Sequence, residues 1–242
     1  MEVSVSFLYN KLMMTVVIAC NPVQYSNPKR MNNQKEALCV MASLPKWLFP
    51  VAFGFKYDMR KEWQGIRSIN LLKRNSRMEI GDDRDLPYVK EILNLCAKID
   101  CCKIGYVNSD ILLGKEFTEA IQEDKDAFIF SRNDIAEIGA HEFINGKRKI
   151  IYGGDKHIGA DGFFFDRQWW IKNEHMFSED LILGETEWDT CYRKIIKDSG
   201  CRYVERRVLF HVYHNQKWTL TSPGAKNNIA IWEKVKNEKN KV

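Results

Sequence analysis

Three short runs of β-branched, aromatic and small apolar residues recur early in the chain, with helix-length spacers between them. The first, Thr15-Val16-Val17-Ile18-Ala19-Cys20, is closed by Asn21-Pro22 and predicts a buried strand. A polar loop from Gln24 to Asn32 follows. Ala37, Val40, Met41 and Leu44 then fall at helical spacing and predict a helix from about Asn33 to Leu44. Pro45 and Pro50 bracket a turn before the second strand, Val51 to Phe55, which ends at Lys56-Tyr57-Asp58. A helix from about Asp85, with Pro87 in its first turn, buries Val89, Ile92, Leu93, Cys96 and Ile99 and leads into a third strand at Lys103. Repeated β-α-β units of this size predict a parallel sheet with helices on its faces, an α/β fold.

The third strand, Lys103 to Val107, runs into Asn108-Ser109-Asp110 and then Ile111-Leu112-Leu113-Gly114. A carboxylate at the end of an apolar strand is costly to bury unless it is paired, hydrogen-bonded or on a metal. Ligands of open α/β sheets bind outside the carboxyl ends of the strands. Asp110 is therefore the first candidate, against the plainer reading of an Asp that caps a turn.

Residues 59–84 are polar and basic around a short apolar piece, Ile66 to Leu72. Beyond Asp110 the pattern predicts a helix from Phe117 to Gln122 and strands at Ala127 to Ser131 and Ala160 to Asp166, with Asn145-Gly146 as a turn between two short strands. Trp188, Cys191, Tyr192, Ile195 and Ile196 fit one helical face without a gap. Val204 to Tyr213 is the last strand, and the charged stretch Glu233 to Lys241 reads as a solvated helix end.

The 242 residues read as one domain. No apolar run reaches the roughly eighteen residues of a membrane span, and Met1 to Met14 lacks the basic start and small-residue cleavage site of a signal peptide. The seven cysteines form no C-x-x-C pair, which fits a reduced, cytoplasmic setting. The sequences of a P-loop, a G-x-G-x-x-G dinucleotide loop, a G-x-S-x-G elbow and an H-E-x-x-H helix are absent.

Other polar residues stand at the edges of predicted elements. Asp161, in GADGFFFD, sits at the mouth of an apolar strand, where a turn residue is equally at home. Glu187 and Asp189 stand at a helix N-terminus; Thr186-x-x-Asp189 is close to a capping box, and the same place suits a carboxylate that stays ionised as a base. His211 and His214 are three apart, so on a continuing strand they face opposite sides and share a metal only if the chain bends. His214, beside Asn215-Gln216, is the better placed of the two to reach a site.

The succession of β-α-β, a strand ending in V-N-S-D-I, a G-x-D-G-F-F-F strand, an E-x-W-D helix start and a late strand with histidine resembles the nucleotide-sugar-dependent glycosyltransferases of the GT-A fold, from about Thr15 to Trp218. The resemblance implies a Rossmann-like, mixed but mainly parallel sheet flanked by helices in a single domain. Its nucleotide-binding half would be about 14–114, its acceptor-binding half about 115–220, and a basic tail 221–242. It implies a metal-dependent, hexosyltransferase-type enzyme that takes a nucleoside-diphosphate sugar, such as a UDP-sugar, and a hydroxyl-bearing acceptor. Asn108-Ser109-Asp110 takes the place of the family's Asp-x-Asp motif, with Asn at its first position. Asp110, with His214 or His211, would hold Mn²⁺ or Mg²⁺ on the diphosphate. Arg30 and Asp58 would meet the nucleoside, Asp189 or Glu187 would be the base, and Asp161 would lie on the acceptor side.

Two other readings fit the residues. One is a nucleotidyltransferase on a related sheet, although Cys20-Asn21-Pro22-Val23-Gln24 lacks the glycines of its usual loop. The other is a non-enzymatic binding module. For the acceptor, a glycan, a lipid-linked precursor or a modified DNA base each fits, with Trp169-Trp170 and the basic stretch 60–84 as a stacking and anion-binding surface.

Overall fold

The computed structural model describes residues 15–136, 139–146, 159–212 and 220–237. At its centre is β1 (Val16–Cys20), five consecutive buried residues. It pairs in parallel with β2 (Leu48–Phe55) on one side and β5 (Lys103–Val107) on the other. Outside β2 lie β4 (Ile66–Leu72), parallel to it, and the short antiparallel edge strand β3 (Glu62–Trp63). Beyond β5 come β8 (Ala160–Asp166), β7 (Ala127–Ile135), β9 (Tyr203–Val212) and β6 (Ile111–Leu113), giving the order β3-β4-β2-β1-β5-β8-β7-β9-β6.

The sheet is mixed, but it is not mainly parallel. The block β4-β2-β1-β5 is parallel, whereas β8 runs against both β5 and β7, and β6 runs against β9. The regular β-α-β succession stops after β5; beyond it the one parallel pair among the described strands is β7 with β9, joined through β8 and the helices before β9. This reversal brings the start of β8 beside the end of β5, with Val107 opposite Gly162. Gly105 faces Phe164 across the same pair, where a Cβ would overlap the phenyl ring.

Side chains alternate along β1, so Val17 and Ala19 enter one apolar core while Val16, Ile18 and Cys20 enter another. Against the second lies α1 (Pro28–Ala42), with Leu38 and Met41, together with α4 (Lys115–Ala120). Against the first pack α3 (Val89–Cys96), α6 (Arg167–Asn173) and α7 (Trp188–Asp198). Two shorter helices are α2 (Ser76–Ile80) and α5 (Ala140–Ile144).

Several local expectations change. Helix α1 starts before Asn33, because the Asn27 side chain caps Arg30 N and Pro28 occupies the first turn. Ile66–Leu72 is a strand rather than an apolar patch in a loop. Asn145-Gly146 terminates helix α5 instead of joining strands, Gly146 taking φ 61°. Trp170 is fully buried and donates to Asn94 Oδ1 at 2.9 Å, while Trp169 stacks on Phe165, so this pair belongs to the core and is no acceptor platform. The stretch expected as a tail contains α8 (Pro223–Asn237), whose Ile231, Trp232 and Val235 pack on the core while Lys234 and Lys236 stay exposed.

Candidate active site

The strand ends converge on one edge of the sheet. The ends of β1, β2 and β5, the start of β8 and the ends of β7 and β9 surround a cavity of about 730 Å³. Arg30, Asp58, Asn108, Ser109, Asp110, Asp161, Glu187, Asp189 and His211 all line it. His214 lies outside the described residues.

At the floor, six side chains close a ring. Asp110 Oδ2 lies 3.6 Å from His211 Nε2, an ion-pair separation rather than a hydrogen bond. His211 Nδ1 donates to Asp134 Oδ1 at 2.8 Å. Arg132 Nε donates to Asp134 Oδ1 at 3.1 Å, and its Nη1 to Asp161 Oδ1 at 2.8 Å. Asn108 Nδ2 donates to the same Asp161 oxygen at 3.0 Å, and Asn108 leads back to Asp110 through the turn. Register explains the assembly: His211 stands opposite both Asp134 and Ile111, and Asn108 N bonds to Asp161 O.

The electrostatics follow from burial and from alternating sign. Burial disfavours the His211 imidazolium, but Asp110 and Asp134 outweigh it and raise the pKa to about 9. Burial pushes the Asp161 carboxyl up, against the pull of Arg132 and His211. The Tyr25 hydroxyl is pushed up to about 12, by burial first and then by Asp110.

Asp110 and His211 are the side chains that could hold a divalent cation at this floor. Imidazole nitrogen and carboxylate oxygen face one another, and Asp134 holds the ring from behind, the arrangement that orients metal-ligating histidines. Among the described residues no cluster of three or more His, Cys, Asp or Glu side chains could hold an ion. The protein would thus supply one carboxylate, Asp110, and one imidazole, His211, and substrate phosphates and water would complete the shell.

The opposite walls differ in character. On the β1–β2 side the Arg30 guanidinium lies 4.3 Å from the Tyr25 ring centroid, and that of Arg60 lies 3.9 Å over Trp63. Asp58 closes its turn by accepting from Arg60 N at 2.9 Å. On the α7 side Asp189 Oδ2 accepts from Ala160 N at 3.0 Å. The expected capping box does not form there: Glu187 is the N-cap residue, in the left-handed region at φ 68°, and makes no capping hydrogen bond.

No family model matches the chain, and no curated protein matches it in sequence. Solved structures similar to it include residues 1–349 of S. aureus TarS, at 12% identity and a TM-score of 0.48, over 83% of this chain and 60% of that one. The glycosyltransferase GlyE of Streptococcus pneumoniae TIGR4 is similar at 11% identity and a TM-score of 0.44, over 93% and 63%. HddC from Yersinia pseudotuberculosis is similar at 12% identity and a TM-score of 0.41, over 83% and 92%. The chain thus spans a little over three fifths of the GlyE chain and three fifths of the TarS chain.

Arg132 and Asp134 are the site residues that sequence reading missed. A signal was present: the apolar run Ala127–Phe130 gives way to Ser131-Arg132-Asn133-Asp134, which places two opposite charges on one face of the strand end. Among the described residues no helix is long and apolar enough to cross a membrane.

Proposed function

We propose that the chain is a metal-dependent glycosyltransferase that moves a sugar from a nucleoside-diphosphate sugar to a hydroxyl acceptor. The observation that carries this reading is the Asp110–His211 pair, oriented by Asp134, in the same cavity as Asp189 and Glu187. Bound Mn²⁺ or Mg²⁺ would neutralise charge developing on the diphosphate leaving group. The Arg30–Tyr25 and Arg60–Trp63 stacks offer preorganised cations and flat faces to the nucleotide, with Asp58 between β2 and Arg60. The acceptor hydroxyl attacks the anomeric carbon as the bond to the diphosphate oxygen breaks, and a carboxylate takes the hydroxyl proton.

Asp189 suits that last role best, because the Ala160 amide fixes one of its oxygens at the mouth of β8. Glu187 is the neighbouring alternative. Asp161 accepts from both Arg132 and Asn108, which suits holding the floor together better than proton transfer.

The test is release of nucleoside diphosphate from a panel of nucleotide sugars with Mn²⁺. Metal-dependent release in the wild-type protein that falls at least about a hundredfold in Asp189→Asn supports the reading. Release from none of the panel would leave a binding module as the better account.

A further inference from the structure

Gln34 lies fully buried on α1. Its amide is used at both ends by one residue of the loop after β1: Val23 N donates to Oε1 at 3.0 Å, and Nε2 donates to Val23 O at 2.9 Å. The same Oε1 accepts from Ser109 Oγ at 2.8 Å, across 75 positions of sequence. Val23 is followed by Gln24 and Tyr25, which line one wall of the cavity, and Ser109 is the middle of the turn that carries Asp110. Glutamine is mostly found exposed, and a buried amide that bonds both a loop backbone and a turn hydroxyl, besides a 3.9 Å contact of Nε2 with Met31 Sδ, fixes their relative position.

We infer that Gln34 is a positioning residue that sets the loop after β1 and the Asn108-Ser109-Asp110 turn as one unit, so that a nucleoside diphosphate held by the loop presents its phosphates to Asp110. The inference rests on the cavity's being a donor site, as proposed above. Gln34 acts through Val23 and Ser109. Gln34→Leu keeps the volume and the helix but removes every one of these bonds. Gln34→Glu keeps both acceptor contacts, and Ser109→Ala cuts only the link to the turn.

The experiment titrates UDP, GDP, CDP and ADP, with and without Mn²⁺, into the wild-type chain and these three variants, each checked for folding by circular dichroism. Hydrogen exchange of residues 21–27 and 107–113 is followed in the same samples without metal. In Gln34→Leu the gain in diphosphate affinity on adding Mn²⁺ should fall by about tenfold or more, as for other groups that orient metal ligands. Gln34→Glu keeps the bond from Ser109 Oγ but sets an oxygen in place of the donor to Val23 O, so it should lose less of the gain than Gln34→Leu. Ser109→Ala should lose part of it, and in Gln34→Leu exchange should quicken in both segments together.

A folded Gln34→Leu protein with the wild-type gain would overturn the inference. So would a Ser109→Ala protein that keeps the whole gain, which covers the case of a Gln34→Leu chain that does not fold. If the wild-type chain binds none of the four diphosphates, the donor reading fails by itself and exchange decides the coupling. Joint loosening of the two segments then supports it, and loosening confined to residues 21–27 overturns it.

Discussion

The imidazole of His211 bridges two carboxylates, donating from Nδ1 to Asp134 Oδ1 at 2.8 Å while Nε2 faces Asp110 Oδ2 at 3.6 Å. With its pKa raised from 6.5 to about 9, the imidazolium adds stability to the metal-free protein that is fully present below about pH 6.5 and is lost as pH rises through about 9. A shift of this size corresponds to about 3 kcal/mol at most. Thermal unfolding of the wild-type protein and His211→Gln across this interval should show a gap in Tm that is widest at the acid end and closes towards the alkaline end. A gap independent of pH would contradict the assignment. On the proposed reading Mn²⁺ would compete with the proton for Nε2, and its affinity should rise over the same interval.

Arg132 stands between Asp134 and Asp161, and the side chains of these carboxylates are only 6% and 4% exposed. Removing one partner of a buried pair leaves uncompensated charge and typically costs about 3–5 kcal/mol. Arg132→Met should destabilise the chain by that order, and Asp161→Asn in the same chain should recover part of the loss. Denaturant midpoints of the single and double variants measure this, and purely additive losses would show that the two residues do not act together.

Glu187 holds a left-handed backbone conformation that suits glycine, at a cost for other residues of about 1 kcal/mol. Glu187→Gly should therefore raise stability by up to about 1 kcal/mol while leaving nucleotide binding intact. If its carboxylate touches the acceptor, transfer falls in the same variant. Loss of stability together with loss of binding would mean that the side chain is structural.

Lys103 illustrates a charge that is buried for the fold alone. Its Nζ donates to Ile121 O and Glu123 O, each at 2.7 Å, and lies 4.8 Å from the Phe128 ring centroid. Lys103→Met should cost about 1–2 kcal/mol in chemical denaturation, because two carbonyls lose their donor. Binding of nucleoside diphosphates should not change.

Local pattern made β1, β2, β5 and α7 legible, since each carries a full period of apolar residues bounded by turn residues. It also placed Asp110 at a strand end, because direction along a parallel strand follows from the helix before it. Pairing beyond β5 was not legible: nothing in Ala160-Asp161-Gly162-Phe163 states that β8 lies against β5 rather than on an edge. Without that register Asp161 cannot be seen to meet Asn108, nor His211 to meet Asp134. Gln34 was hidden for the same reason, because its partners are distant in sequence and its own neighbours look ordinary.

Whether Asp110 and His211 hold a metal on a nucleoside diphosphate is read from the thermal stability of the chain with UDP, GDP, CDP and ADP, with and without Mn²⁺, in wild type, Asp110→Ala and His211→Ala. At a hundredfold excess over its dissociation constant, a ligand of the native state alone adds about 2.7 kcal/mol. At least one diphosphate should stabilise the wild-type protein only with Mn²⁺, and both substitutions should abolish the effect. Stabilisation that is unchanged without metal, or that survives in Asp110→Ala, would contradict a metal held by Asp110 and His211.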